Sequence, residues 1–192
     1  MAARDLALVA VFAALIAVLG LPGQLSPFGA AVPITAQTLG VMLAGSVLGA
    51  RRGAAAVLVL LVLVAAGLPL LAGGRGGLGV FAGPSAGFLV GWVAGAWVTG
   101  RMVEAWRRGF ALGWAVLANL VGGILVVYAF GIPGMALAGD LSLAAALAAS
   151  WVYVPGDLVK VVLAALVARG VHRGYPVLAD RRREADREAA GR

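Results

Sequence analysis

The sequence predicts an all-α fold, a bundle of six transmembrane helices, and three observations support that prediction. Of the 192 residues, 62% are hydrophobic and only 12% are charged, whereas a soluble domain keeps roughly a quarter of its residues charged. The mean hydropathy is +1.02. The apolar residues also come in long unbroken blocks, which lipid tolerates and water does not. We therefore expect a polytopic membrane protein.

Prolines, glycines and arginines divide the apolar blocks into six predicted spans. These are residues 6–20, 34–52, 53–71, 84–101, 110–130 and 141–167. Pro22 ends the first span, and Pro84 suits the first helical position of the fourth because its missing N–H would be unpaired there. The Gly-Ile-Pro-Gly stretch at 131–134 is expected to end the fifth. Pro155 interrupts the last tract, which is either one kinked span or an outer-surface helix followed by a shorter one.

The distribution of arginines predicts the orientation. They lie at the N-terminus and after spans two, four and six, at Arg4, Arg51, Arg52, Arg101, Arg107, Arg108, Arg169 and Arg173. The alternate loops carry only Arg75 and Asp140. Because positive charge favours the inside, both termini are predicted to be cytoplasmic. Residues 1–170 would form the transmembrane domain and residues 171–192 a charged cytoplasmic tail.

Two ionisable residues, Asp157 and Lys160, lie inside the sixth predicted span, and Lys160 is the only lysine in the chain. Their spacing of three places them on one helix face. An ionised side chain at that depth costs several kcal/mol unless it is paired or hydrated, so such residues often mark a binding site. The pair either contacts a ligand or only fixes helix packing.

Further polar residues cluster in the same outer half of the predicted bundle. Span two opens with Thr35 and Gln37, and span four opens with a glycine-rich turn that contains Gly83 and Ser85. Thr35 could equally be a helix cap, and the turn could serve tight packing alone. Arg75, in an outer loop, would meet a substrate carboxylate or remain a solvated charge. The convergence predicts a pocket that faces the exterior.

Small residues at four-residue spacing form ridges on two spans, and such ridges let helices approach closely in lipid. Ala10 and Ala14 form one on span one, which as a terminal helix has a face free for another protein. The ridge on span four is expected to serve internal packing; it comprises Gly87, Gly91, Gly95 and Thr99.

The sequence lacks residues that several kinds of chemistry require. The chain has no cysteine, and its one histidine, His172, falls in the predicted tail. No G-x-x-x-x-G-K-[ST] loop is present, so the chain cannot hydrolyse ATP by that route. We expect no enzyme and no cofactor. Because the polar residues singled out above lie in the predicted outer half, we expect a pocket without an exit, in a subunit that takes energy from a partner.

The sequence blocks resemble a known family, the biotin transporter substrate-binding subunits (BioY). The blocks are Val-Pro-Ile-Thr-Ala-Gln-Thr-Leu-Gly at 32–40, Arg-Arg-Gly at 51–53, Gly-Leu-Pro at 67–69, Gly-Gly-Leu-Gly at 76–79, Gly-Pro-Ser-Ala-Gly at 83–87 and Pro-Gly-Asp-Leu-Val-Lys at 155–160. They keep the family's order over most of residues 6–168.

The resemblance implies the substrate-capture (S) component of an energy-coupling factor transporter in the bacterial plasma membrane. Such a subunit binds biotin outside and works with a transmembrane coupling protein and two cytoplasmic ATPases. The family's pocket corresponds to Asp157, Lys160 and the glycine-rich turn. Its coupling motif corresponds to Ala10 and Ala14. Phe88 stands where the family usually has an aromatic hydroxyl, so a hydrogen bond would be missing.

Two other functions remain open at this point. A sister subunit for thiamine or riboflavin would favour more aromatic or acidic residues in its pocket, and an acid–base pair with few aromatics fits biotin better. A small channel needs polar residues in both halves of the bundle, and the inner half is expected to lack them.

Overall fold

This computed structural model describes residues 3–21, 35–105 and 111–175, and within these residues it contains six main helices. They are α1 (Ala3–Val18), α2 (Gln37–Leu48), α3 (Ala50–Ala65), α4 (Ala86–Ala105), α5 (Leu112–Ala138) and α6 (Leu143–Gly174). The predicted all-α class is confirmed. The helices α4, α5 and α6 are long and apolar enough to cross a membrane, whereas α1, α2 and α3 are shorter.

The glycine ridge on α4 serves internal packing, as the sequence predicts, and the helix that it contacts is α5. A Cβ atom added at Gly91 would lie 2.8 Å from the carbonyl oxygen of Val127, and one at Gly95 would lie 2.5 Å from that of Gly122. Distances this short leave no room for a side chain. The ridge therefore holds α4 and α5 at backbone contact in the centre of the bundle.

The expected break at residues 131–134 is wrong, because α5 continues through Pro133 to Ala138. The neighbouring glycines serve packing instead: a Cβ atom at Gly134 would lie 2.6 Å from Cα of Gly87, and one at Gly131 would collide with the ring of Phe88. A proline is tolerated within a membrane helix when its neighbours support the freed backbone groups.

The long apolar tract at the C-terminal end forms a two-part helix. A first part, Leu143–Ser150, is mostly exposed, and a 3₁₀ turn at Trp151–Tyr153 joins it to a second part, Val154–Gly174. The second part has 21 residues, or about 31 Å at 1.5 Å per residue. It is long enough to cross a bilayer by itself, and the 3₁₀ turn separates it from the exposed first part.

Two basic positions differ from the prediction. The Arg51-Arg52 pair does not end a span; it lies in the first turn of α3, where buried Arg52 forms an ion pair with Asp5 of α1. His172 lies on the last turn of α6 rather than in a solvated tail, and its Nε2 is 2.9 Å from the carbonyl oxygen of Ser46. The remainder of the predicted tail, residues 176–192, lies outside the described residues.

Buried polar residues also occur in the half of the bundle that was expected to lack them. Ser46 donates to Oδ1 of Asn119 at 3.0 Å, and Asn119 donates to the carbonyl oxygen of Ala115 at 2.9 Å. Thr99 donates to the carbonyl oxygen of Ala118 at 3.2 Å. That expectation is therefore wrong. Each of these side chains has its hydrogen bond within the fold, so the cluster ties helices together.

Candidate functional site

A compact polar cluster surrounds the carboxylate of Asp157, which is 5% exposed. Lys160 Nζ lies 2.8 Å from Oδ1 and also donates to the Thr38 hydroxyl at 2.9 Å. Tyr128 donates its hydroxyl proton to Oδ2 at 2.7 Å. Charge-assisted hydrogen bonds of this length are among the strong ones in proteins. Both carboxylate oxygens are thus engaged, in a site where an isolated charge would be costly.

Three helices bring this cluster together. Asp157 and Lys160 lie one turn apart near the start of the second part of α6, and Thr38 lies in the first turn of α2. Tyr128 comes from α5, just after a π-helical turn at Val121–Val126. Residues Thr38 and Tyr128 are contributions that the sequence analysis missed.

The π turn decides where Tyr128 points. In a straight α-helix, residues nine apart such as Asn119 and Tyr128 lie about 180° apart around the axis. A π turn accommodates one extra residue, which reduces that angle to about 80°. Asn119 and Tyr128 can therefore both face the neighbouring helices, Asn119 towards Ser46 and Tyr128 towards Asp157.

Arg75 forms a second polar group in the pocket lining. A tight turn pairs the backbones of Leu71 and Arg75, and Nη1 of Arg75 donates to Oγ of Ser85 at 3.0 Å. Its Nε donates to the carbonyl oxygen of Ala72 at 3.2 Å. Partial burial lowers the pKa of Arg75, although a guanidinium remains charged at physiological pH. Among the described residues no carboxylate pairs with it.

Gln37 lies in the pocket wall, but the fold uses its amide. Its Oε1 accepts from the backbone N–H of Ala72 at 3.0 Å, and its Nε2 donates to the carbonyl oxygens of Ile16 and Leu70 at 3.2 and 3.0 Å. With both donors engaged, Gln37 joins α1 and the loop after α3 to α2. Its contribution to a ligand is therefore to shape the pocket.

Aromatic side chains line the same pocket as the two polar groups, so the expectation of few aromatics is wrong. Phe88 packs edge-on against Tyr128 and Tyr153, at ring-centre distances of 6.0 and 6.4 Å. Trp92 lines the same pocket, and its buried indole N–H has no acceptor among the described residues. Phe88 has no hydroxyl of its own, and the neighbouring Tyr128 carries one that is bonded to Asp157.

The structure brings most of the predicted site residues into one pocket. The pocket is lined by Thr35, Gln37, Thr38, Leu71, Arg75, Ser85, Phe88, Leu89, Trp92, Val127, Tyr128, Tyr153, Asp157 and Lys160. Thr35 also accepts the N–H of Gln37 at 3.2 Å, as a residue at a helix start does. Gly83 is outside this lining; its carbonyl accepts the N–H of Ala86 as α4 begins. Ala10 and Ala14 lie exposed on α1.

Comparison with known proteins agrees with this architecture. The family model described as BioY matches residues 1–177. The biotin transporter BioY of Rhizobium etli is 54% identical over 93% of this chain and 98% of its own. The protein of that name from Rhodobacter capsulatus is 50% identical over 90% of this chain and 95% of its own.

A solved structure has the same fold. The crystal structure of the S-component for biotin from an ECF-type ABC transporter superposes with a TM-score of 0.85, at 28% identity over 88% of this chain and 91% of its own. The sequence matches extend over nearly the whole chain, and the helices superpose in the same order. This chain belongs to the BioY family.

Proposed function

We propose that this protein is the substrate-capture subunit of a biotin uptake transporter in the bacterial plasma membrane. The observation that supports it most directly is one pocket that brings together the Asp157–Lys160 pair, the Arg75 guanidinium and apolar and aromatic side chains. The names of the curated relatives and of the similar crystal structure refer to biotin. Biotin has the corresponding chemistry, with a neutral ureido group, an apolar ring and chain, and a terminal carboxylate.

The charges indicate how the ligand lies. A carboxylate tail would be repelled by Asp157 and attracted by Arg75, which lacks a carboxylate partner in the described part of the chain. The ureido N–H groups can donate to Asp157, and the third N–H of Lys160 can donate to the ureido carbonyl. Phe88 and Trp92 then cover the ring and chain between these ends.

Ligand entry requires the pocket to widen. The pocket volume is about 50 Å³, which is room for a few water molecules, whereas ligand pockets commonly measure about 300 Å³ or more. Side chains at the wall must therefore move outward when a bicyclic ligand binds.

Binding to the purified chain in detergent tests the proposal. Labelled biotin should bind to the wild-type protein, and Asp157→Asn and Lys160→Ala should abolish tight binding. Asp140→Asn is the matched control, because Asp140 is an exposed aspartate outside the pocket lining, and it should bind as the wild type does. A folded wild-type protein that does not bind biotin would contradict the proposal, and thiamine and riboflavin would then be tested.

Transport in this proposal depends on a transmembrane coupling protein and cytoplasmic ATPases, with both termini of this chain in the cytoplasm. Ala10 and Ala14 support a docking face because they are exposed one turn apart on α1, where another helix can approach closely. Ala10→Leu with Ala14→Leu should prevent co-purification with the coupling protein and leave biotin binding intact. The control pair Ala145→Leu with Ala149→Leu, at equal spacing on an exposed face of α6, should change neither. Equal loss of co-purification with both pairs of substitutions would contradict the proposed docking face.

A further inference from the structure

A second cavity lies at the far end of α6 from the biotin pocket. Leu112 at the start of α5 lines it together with Arg169, His172 and Arg173 on the last turns of α6. The volume of this cavity is about 400 Å³. Arg169 is twelve residues beyond Asp157, or about 18 Å along the helix. We propose that this cavity binds the phosphate headgroup of one anionic phospholipid.

The first argument is unbalanced charge. Arg169 and Arg173 are four residues apart on one helix face, where like charges destabilise a helix. Neither side chain forms an ion pair or hydrogen bond within residues 3–21, 35–105 and 111–175. Two other arginines, Arg52 and Arg101, do have carboxylate partners in the fold. The cavity thus presents two guanidinium groups, which bind phosphate oxygens with two parallel hydrogen bonds each.

Cations near a helix C-terminus also compensate the helix dipole. That effect accounts for basic residues in the last turn of α6, but it acts equally on side chains that extend into solvent. It does not explain why Arg169 and Arg173 share the wall of a cavity with the apolar side chain of Leu112. His172 holds this end of α6 in place through the carbonyl oxygen of Ser46.

The second argument identifies a lipid rather than a free anion. Val162 and Leu166 are exposed and precede Arg169 at helical spacing, so an apolar stripe on α6 leads directly to the two arginines. An acyl chain can lie along this stripe while its phosphate reaches the cavity. Basic pockets next to membrane helices are typical sites for anionic headgroups.

Native mass spectrometry of the full chain in neutral detergent tests the proposal, with phosphatidylglycerol and zwitterionic phosphatidylcholine as probes. The wild-type protein should retain one phosphatidylglycerol in preference to phosphatidylcholine. Arg169→Gln with Arg173→Gln should reduce this preference about 30-fold, and exposed Arg173→Gln alone about fivefold, from the typical contribution of a basic residue near a membrane surface. If the double variant does not fold, the lipid preference of the single variant tests the proposal.

The matched control is Arg51→Gln with Arg101→Gln, which removes the same charge from exposed arginines outside the cavity. It should keep the preference within about threefold of the wild type. Equal loss in both double variants would show a diffuse surface effect and overturn the proposal. Displacement of the lipid by millimolar inorganic phosphate would also overturn it, because the site would then bind a free anion.

Discussion

Replacing Lys160 by methionine tests whether Asp157 is held as a buried charge. The lysine ammonium is 2.8 Å from Oδ1 of Asp157, and the two side chains are 14% and 6% exposed. Methionine keeps the length and apolar stem of the side chain but removes the charge and its hydrogen bonds. The carboxylate would then lose its cation and keep only the hydroxyls of Tyr128 and Thr38.

The expected loss is large because removing one partner of a buried ion pair leaves an uncompensated charge. Such changes typically destabilise a protein by about 3–5 kcal/mol. Adding Asp157→Asn to Lys160→Met removes that charge as well. Since well-packed neutral replacements of buried pairs are often tolerated, the double variant should recover most of the lost stability while still failing to bind biotin.

Unfolding of the purified proteins in a fixed detergent mixture, followed by helical circular dichroism, gives the four stabilities of this double-mutant cycle. The reasoning requires the Lys160→Met variant to be less stable than the double variant by about 2 kcal/mol or more. If the single and double variants were equally stable, Asp157 would not be a buried charge that depends on Lys160. The assignment of the pair as a charged recognition element would then be refuted.

Three further outcomes follow from the same geometry. Tyr128→Phe removes the hydrogen bond to Oδ2 of Asp157, so biotin affinity measured by calorimetry should fall about tenfold or more; unchanged affinity would remove Tyr128 from the site. Trp92→Phe removes an indole N–H that has no acceptor among the described residues and also shortens a buried side chain, so thermal stability should fall modestly and biotin affinity should fall as well; a loss of stability with unchanged biotin affinity would assign Trp92 to packing alone. Gly95→Ala should destabilise the bundle by about 1–3 kcal/mol because its Cβ meets the α5 backbone. The control Gly170→Ala, with open space around it, should be neutral or stabilising, and equal effects would contradict the helix contact.

The charged residues and the glycine ridge could be predicted from the sequence because the free-energy cost of a charge or of repeated glycines in a membrane helix does not depend on how the helices are arranged. Asp157 and Lys160 are conspicuous in an apolar tract wherever their helix lies. The glycines of α4 similarly indicate close helix contact before the contacting helix is known. Topology puts Arg75 in an outer loop but leaves open whether it meets a ligand or remains a solvated charge; the structure places it in the pocket lining, in contact with Ser85.

The features that sequence reasoning missed depend on helix geometry that leaves no local signal. Tyr128 reaches Asp157 through a π turn, and the regular period of 3.6 residues does not predict where such a turn occurs. Thr38 is inconspicuous in sequence, and its role comes from a lysine 122 residues away. Pro133 predicts a helix end by local rules, but glycine-mediated contact with α4 keeps the helix continuous.

The polar groups in the two halves of the bundle differ in how far their hydrogen-bond donors are used within the protein. In one half, Ser46, Thr99 and Asn119 each donate to another group of the protein. In the other half, Arg75 and Lys160 each retain donors beyond the bonds that they form within the fold. In the pocket half, a solute would find charged groups with donors to spare, whereas Ser46, Thr99 and Asn119 are all 0% exposed and present nothing to a solute. This asymmetry fits a subunit that captures its ligand on one side and depends on a partner to deliver it to the other.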